Sequence, residues 1–160
     1  MQEVAKRFAC FATVETFDYP YMKAGRKAPD RLPVLLEAHR AALADTRWQH
    51  PRAERVVLVG KSMGSRVGCH LALEEDVDGL VCLGYPLVPR GAGAPRDEVL
   101  LAQRRPLLLV QGTRDPLAPL DLLRAVVARM HVAVTLHLVE GGNHSLEVRV
   151  LKRTRTAHTA

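Results

Sequence analysis

Three polar residues stand where a chain most readily presents a reactive side chain. Ser62 lies in Gly60-Lys61-Ser62-Met63-Gly64, directly after the apolar run Val56-Val57-Leu58-Val59 and ahead of a helical pattern that starts near Ser65. A serine flanked by glycines two residues away, at a strand-to-helix junction, fits a sharp elbow. Small residues at 60 and 64 let the two chain segments approach, and a strained backbone projects the hydroxyl outward. The helix behind such a turn directs backbone N–H groups, Met63's among them, toward negative charge developing on an oxygen. A serine hydroxyl is a weak nucleophile until a base takes its proton and an acid orients that base. Asp115, in Gly112-Thr113-Arg114-Asp115-Pro116, and His144, in Glu140-Gly141-Gly142-Asn143-His144, each follow an apolar run of their own. The set predicts nucleophilic attack by Ser62, proton transfer by His144 and orientation of that histidine by Asp115.

Each residue also has a plainer explanation. Aspartate ahead of proline stabilises turns, and a loop histidine is commonly a surface group. What argues for a triad is the ordered occurrence of Ser, Asp and His just past three strand ends, the edge where open α/β sheets collect ligands. Gly60-Lys61-Ser62 also matches the end of a phosphate-binding loop. That motif needs a glycine where this chain has Arg55 and a loop where it has Val56 to Val59, and a β-branched strand cannot wrap its amides around phosphates.

Apolar runs alternate with amphipathic stretches, the pattern of a mostly parallel sheet flanked by helices. Strands are predicted at 8–16, 55–59, 79–84, 107–111 and 134–139, the middle three being nearly continuous Val/Leu runs suited to burial on both faces. A helix over 33–43 places Leu35, Leu36, His39, Ala42 and Leu43 on one side, with Asp30 as its cap. A second, over 65–74, packs Val67, Leu71 and Ala72 and turns Glu74 and Glu75 to water, and a third, over 120–130, packs Leu122, Leu123, Val126 and Val127. The segment 86–105, rich in Pro and Gly before a short helix near 96–103, reads as an excursion that partly roofs the site. The expected fold is α/β, a three-layer sandwich around about five mostly parallel strands, in one domain spanning 1–160.

Composition agrees with a compact class. The chain has 160 residues, 48% hydrophobic and 25% charged, enough to bury about two-thirds of its unfolded surface in a single core. No stretch has the length and apolarity of a membrane span, and Glu3, Lys6, Arg7 and Glu15 interrupt the start, so neither a membrane nor a secretory signal is expected and the location is read as cytoplasmic. Cys10, Cys69 and Cys82 have no metal or redox spacing and are expected to be small core residues. The net charge of +6 raises nucleic-acid binding, but the cations are scattered. Only Lys23, Arg26, Lys27 and Arg31, and the tail Arg149, Lys152, Arg153 and Arg155, form local groups, and one Trp, three Tyr and three Phe leave little for base stacking. No nucleic-acid partner, cofactor or metal is expected.

Beyond the elbow, the chain carries Phe17-Asp18-Tyr19-Pro20-Tyr21-Met22, Gly25 to Arg31, Gly60 to Arg66, Gly84-Tyr85-Pro86-Leu87, Gln111 to Asp115 and Asn143-His144-Ser145. Together these resemble the KANSL/TEX-type branch of α/β-hydrolase-like proteins, from about residue 4 to about residue 150, and Ser, Asp, His is the order of α/β-hydrolase triads. The resemblance implies a partial α/β-hydrolase fold, a Ser62 nucleophile, a His144 base and an Asp115 acid acting on acyl esters without cofactor. It also implies upstream strands and a His-Gly loop that supplies a second oxyanion donor, one further central strand, and a long final helix, none of which this sequence contains. Loss of one donor typically costs about 2.7–4 kcal/mol of transition-state stabilisation.

The reading is therefore a serine hydrolase for a small-molecule acyl substrate; Arg90, Arg96, Arg104 and Lys61 are candidates to attract an anionic group, against the plainer reading that the arginines are simply solvated. The alternative is an inactive hydrolase-like binding or scaffold module that associates, with itself or a partner, through an open sheet edge or an uncovered apolar face.

Overall fold

The computed structural model describes residues 1–89, 91 and 93–148. Arg90 and the basic tail Arg149, Lys152, Arg153 and Arg155 lie outside the described residues. The elements run α1 (Gln2–Phe8), α2 (Pro20–Lys23), α3 (Leu32–Gln49), β1 (Val57–Lys61), α4 (Met63–Leu71), β2 (Gly79–Leu83), α5 (Glu98–Leu101), β3 (Leu107–Gly112), α6 (Leu120–Val127) and β4 (Val134–Val139). The strands form one sheet in the order β1-β2-β3-β4, parallel throughout.

Register sorts the strand residues by face. Leu58, Leu80, Cys82, Leu107, Leu109 and Leu136 enter one core with Cys69 and Leu71 of α4, Leu43 of α3, Val99 and Leu100 of α5, and Leu123 and Val126 of α6. The alternating residues Val59, Val81, Leu83, Leu108 and Val110 are outside that cluster.

The predicted helical faces are the buried ones: Leu35, His39 and Leu43 in α3, Val67 and Leu71 in α4, Leu123 and Val126 in α6. Glu74 and Glu75 turn outward to Arg40, and Glu75 also meets Arg47.

Three expectations need correction. No strand forms over 8–16. Phe8 ends α1, the N–H groups of Phe11 and Ala12 return to the Phe8 carbonyl, and the Phe8 and Phe11 rings meet edge-on at 5.3 Å. The local helical bonds prevail there, and among the described residues the sheet has four strands rather than five. Cys10 is consequently exposed, while Cys69 and Cys82 are buried. Asp30 does not cap α3. Its carboxylate accepts from Arg26 at 2.7 Å, and Arg31 occupies the cap with no side-chain bond.

Candidate active site

The elbow is built by one glycine more than the other. Ser62 has φ 53° and ψ −116°, well outside the ordinary regions for a residue with a side chain. It is held there from both sides. Its N–H donates to the Leu83 carbonyl at 2.9 Å, tying it to the end of β2, and its carbonyl accepts from the N–H of Ser65 and Arg66 and from the Ser65 hydroxyl. A Cβ on Gly60 would lie 2.3 Å from the Gly64 carbonyl carbon and the Ser65 nitrogen, so the strand and the helix start approach as closely as glycine allows. Gly64 differs from expectation: beyond its own helix, a Cβ there would meet nothing within 4 Å. Met63 is the first residue of α4, so its N–H has no acceptor within the helix.

The three sequence-predicted polar residues come together. Ser62 Oγ and His144 Nε2 are 2.8 Å apart, and His144 Nδ1 and Asp115 Oδ2 are 2.7 Å apart. The imidazole is partly open, its side chain 20% exposed, whereas the Asp115 side chain is fully buried. A carboxylate acceptor at Nδ1 places a proton on that nitrogen and leaves Nε2 free to accept from the serine hydroxyl.

The supporting contacts come from residues that turn chemistry alone does not single out. The Asp115 carboxylate also accepts from the Leu117 N–H at 2.8 Å and from the Gln111 side-chain amide. The His144 loop is seated on β3 and β2 by two glycines. A Cβ on Gly112 would come within 2.3 Å of the Gly142 carbonyl oxygen, and one on Gly84 within 2.7 Å of the His144 carbonyl oxygen. Thr113 Oγ1 accepts from the Gly141 N–H at 2.9 Å, fastening the same loop. Gln111, Gly112 and Gly84 stand in the segments that carry the family resemblance, which was the available signal.

Other sequence-predicted positions do not join the cluster. Arg104 is exposed, and Arg96 is fixed by its backbone, its N–H bonding Leu87 and its carbonyl accepting from the Tyr85 hydroxyl at 2.9 Å. Lys61 ends β1, half-buried, beside Ser62. The Cys82 thiol is raised well above the usual range by its contact with the Cys69 thiol and then by burial, which keeps it protonated. Among the described residues no group of three or more His, Cys, Asp or Glu is placed to hold a metal ion, and no helix is long and apolar enough to cross a membrane.

Three solved structures share this arrangement of elements. An alpha-beta serine hydrolase homologue from Coxiella burnetii superposes with a TM-score of 0.62 at 21% identity, over 74% of this chain and 54% of that one. A serine hydrolase without lid from Xanthomonas campestris gives 0.59 at 18% identity, over 76% and 52%. The esterase domain of a Rhodothermus marinus protein gives 0.57 at 20% identity, over 70% and 60%. At such identities the likeness is one of fold, and the chain spans only about half to three-fifths of the length of each. The family described as alpha/beta hydrolase domain matches residues 1–159. With a parallel sheet, a strained strand-to-helix serine and a family match over residues 1–159, the chain belongs to the alpha/beta hydrolase domain family.

Proposed function

We propose that the protein is a serine hydrolase that cleaves a small ester or related acyl substrate without cofactor. The observation that carries the reading is the unbroken chain from Ser62 Oγ to His144 Nε2, and from His144 Nδ1 to Asp115 Oδ2, at 2.8 and 2.7 Å. In the proposed reaction Ser62 Oγ attacks the acyl carbon while His144 Nε2 takes its proton. The Met63 N–H faces the oxyanion, and His144 then returns the proton to the leaving group. Water repeats the cycle on the acyl-serine and restores the hydroxyl. Asp115 stays ionised, keeping the imidazole in the tautomer that accepts at Nε2.

The test is covalent labelling with a fluorophosphonate probe, read by mass spectrometry of the peptide containing Ser62. Labelling of the wild type that disappears in Ser62→Ala supports the reading, and a wild type that stays unlabelled while a longer relative reacts defeats it.

Assignment to the KANSL/TEX-type branch is part of the proposal. Its support is that Tyr19 and Tyr21, from the Phe17–Met22 segment, pack with Leu35, Val67 and Met63 beside the elbow. A cytoplasmic setting, in accord with three unpaired cysteines, is proposed with it. Association of copies through a sheet edge is a second proposal, favoured by the strand order, which among the described residues leaves β1 and β4 with one neighbour each. Light scattering on a chromatographed sample tests it, and a stable monomer across concentrations excludes it.

A further inference from the structure

Gln111 is the penultimate residue of β3, paired with Leu138 of β4, and has no exposed surface. Its face of the strand is otherwise Leu107 and Leu109, both in the apolar core. Burying an amide there is unfavourable unless both ends find partners. Only one does. Nε2 donates to Asp115 Oδ2, while Oε1 is buried with no hydrogen-bond partner among the described residues. The amide cannot turn round to relieve this, because an ionised carboxylate only accepts and would repel the amide oxygen. A methionine or leucine would fill similar volume without an orphaned acceptor. The glutamine therefore gives up stability for a single bond, and that bond ends on the acid that holds His144.

We infer that Gln111 is a positioning residue that fixes the Asp115 carboxylate, and through it the His144 imidazole, for the hydrolysis proposed above, on which the inference rests. Asp115 carries three donors on a side chain with no exposure: Leu117 N–H on Oδ1, and His144 Nδ1 and Gln111 Nε2 on Oδ2. Leu117 and Gln111 are neutral and hold their bonds whatever the protonation state of His144. Between them they hold both carboxylate oxygens in place, with Oδ2 against the ring Nδ1. Removing the Gln111 donor leaves Oδ2 to the imidazole alone and strengthens the pull of the carboxylate on an imidazolium. The ionisable neighbours on the surrounding segments are Arg114 beside Asp115, Glu140 and Glu147 on either side of His144, Lys61 on β1 and the Cys82 thiol on β2. Among the described residues only His144 pairs with the Asp115 carboxylate.

The test uses the whole chain with Gln111→Met, which removes the donor and keeps the bulk, and Gln111→Leu, which removes the donor with a different shape. Protonation of His144 is followed by NMR of its ring, independently of activity, alongside the pH profile of the Ser62 labelling rate. In Gln111→Met the His144 midpoint is expected to rise by about one pH unit. Labelling should slow by about tenfold below that midpoint and converge on the wild-type rate above it. Gln111→Leu should move the midpoint in the same direction. A His144 titration in both variants that superimposes on wild type overturns the inference. So does a loss of labelling that is uniform in pH and accompanied by a lower melting temperature, the signature of a merely structural role. If wild-type Ser62 fails to label while the His144 midpoint still rises in Gln111→Met, the hydrolase reading falls and the role of Gln111 in holding Asp115 and His144 stands.

Discussion

Gly84, just past the end of β2, passes so near His144 that a Cβ at position 84 would lie 2.7 Å from the His144 carbonyl oxygen. The glycine also has φ +63°, a conformation that costs a residue with a side chain about 1–2 kcal/mol. Both effects fall on the loop that presents the base. Gly84→Ala is therefore expected to push His144 away from Ser62, and a displacement of about 1 Å can slow catalysis by about a hundredfold. The Ser62 labelling rate and the melting temperature should both fall; a variant that labels like wild type would show that the loop yields without moving the imidazole.

The two elbow glycines should respond in opposite ways. Gly60→Ala drives a methyl against the backbone of Gly64 and Ser65 at 2.3 Å, where neither chain can give way cheaply, and is expected to destabilise by about 3 kcal/mol or more. Gly64→Ala meets no neighbour and replaces glycine by a better helix former, so it should be neutral or stabilising by up to about 1 kcal/mol. Chemical denaturation of the two variants side by side checks this, and equal losses would contradict it.

How much of the site is legible in the sequence depends on which of its interactions are local. The elbow, the Asp115 turn and the His144 turn each declare themselves within about five residues, because strand end, turn residue and helix start are neighbours in the chain. Their convergence could be argued only from order and from the parallel sheet. The three central strand runs and the helical faces of Leu35, Val67 and Leu123 were legible because burial imposes a period. The 8–16 run misled because a strand exists only with a partner, and Phe8 and Phe11, three apart, suit a helical turn equally well. Gln111 and Gly84 stand in segments that carry the resemblance, but their supporting role does not show in their neighbours along the chain, since what they touch lies on other segments: Asp115 past the strand end for one, His144 for the other.

His39 supplies a pH dependence of stability. It is buried on α3, its Nδ1 3.3 Å from the Tyr19 hydroxyl and its ring 4.9 Å from that of Phe17. Burial lowers its pKa from 6.5 to about 4. Between those values the unfolded chain binds a proton that the folded chain does not, so the native state loses stability as pH falls through 6.5 toward 4. The loss amounts to roughly 3 kcal/mol over the window. His39→Gln should flatten the slope of denaturation free energy against pH in that range. An unchanged slope would assign the acid sensitivity to other groups.

The turn that carries His144 rests on its neighbour. Asn143 Oδ1 accepts from the Ser145 N–H at 2.8 Å and from the Glu147 N–H at 3.0 Å, so one side-chain oxygen closes the loop around the histidine. Leu146 is held in the same loop at φ 66°, a conformation that favours glycine. Asn143→Ala removes the acceptor, leaves two N–H groups to water and frees Leu146 to relax, and is expected to slow Ser62 labelling by about tenfold with a modest loss of stability. Aspartate offers the same acceptor but faces the Glu147 carboxylate, to which Asn143 Nδ2 donates at 3.4 Å, so Asn143→Asp should recover part of the labelling rate. Failure of the aspartate to do better than the alanine would mean that the Asn143 oxygen does not set the position of the imidazole.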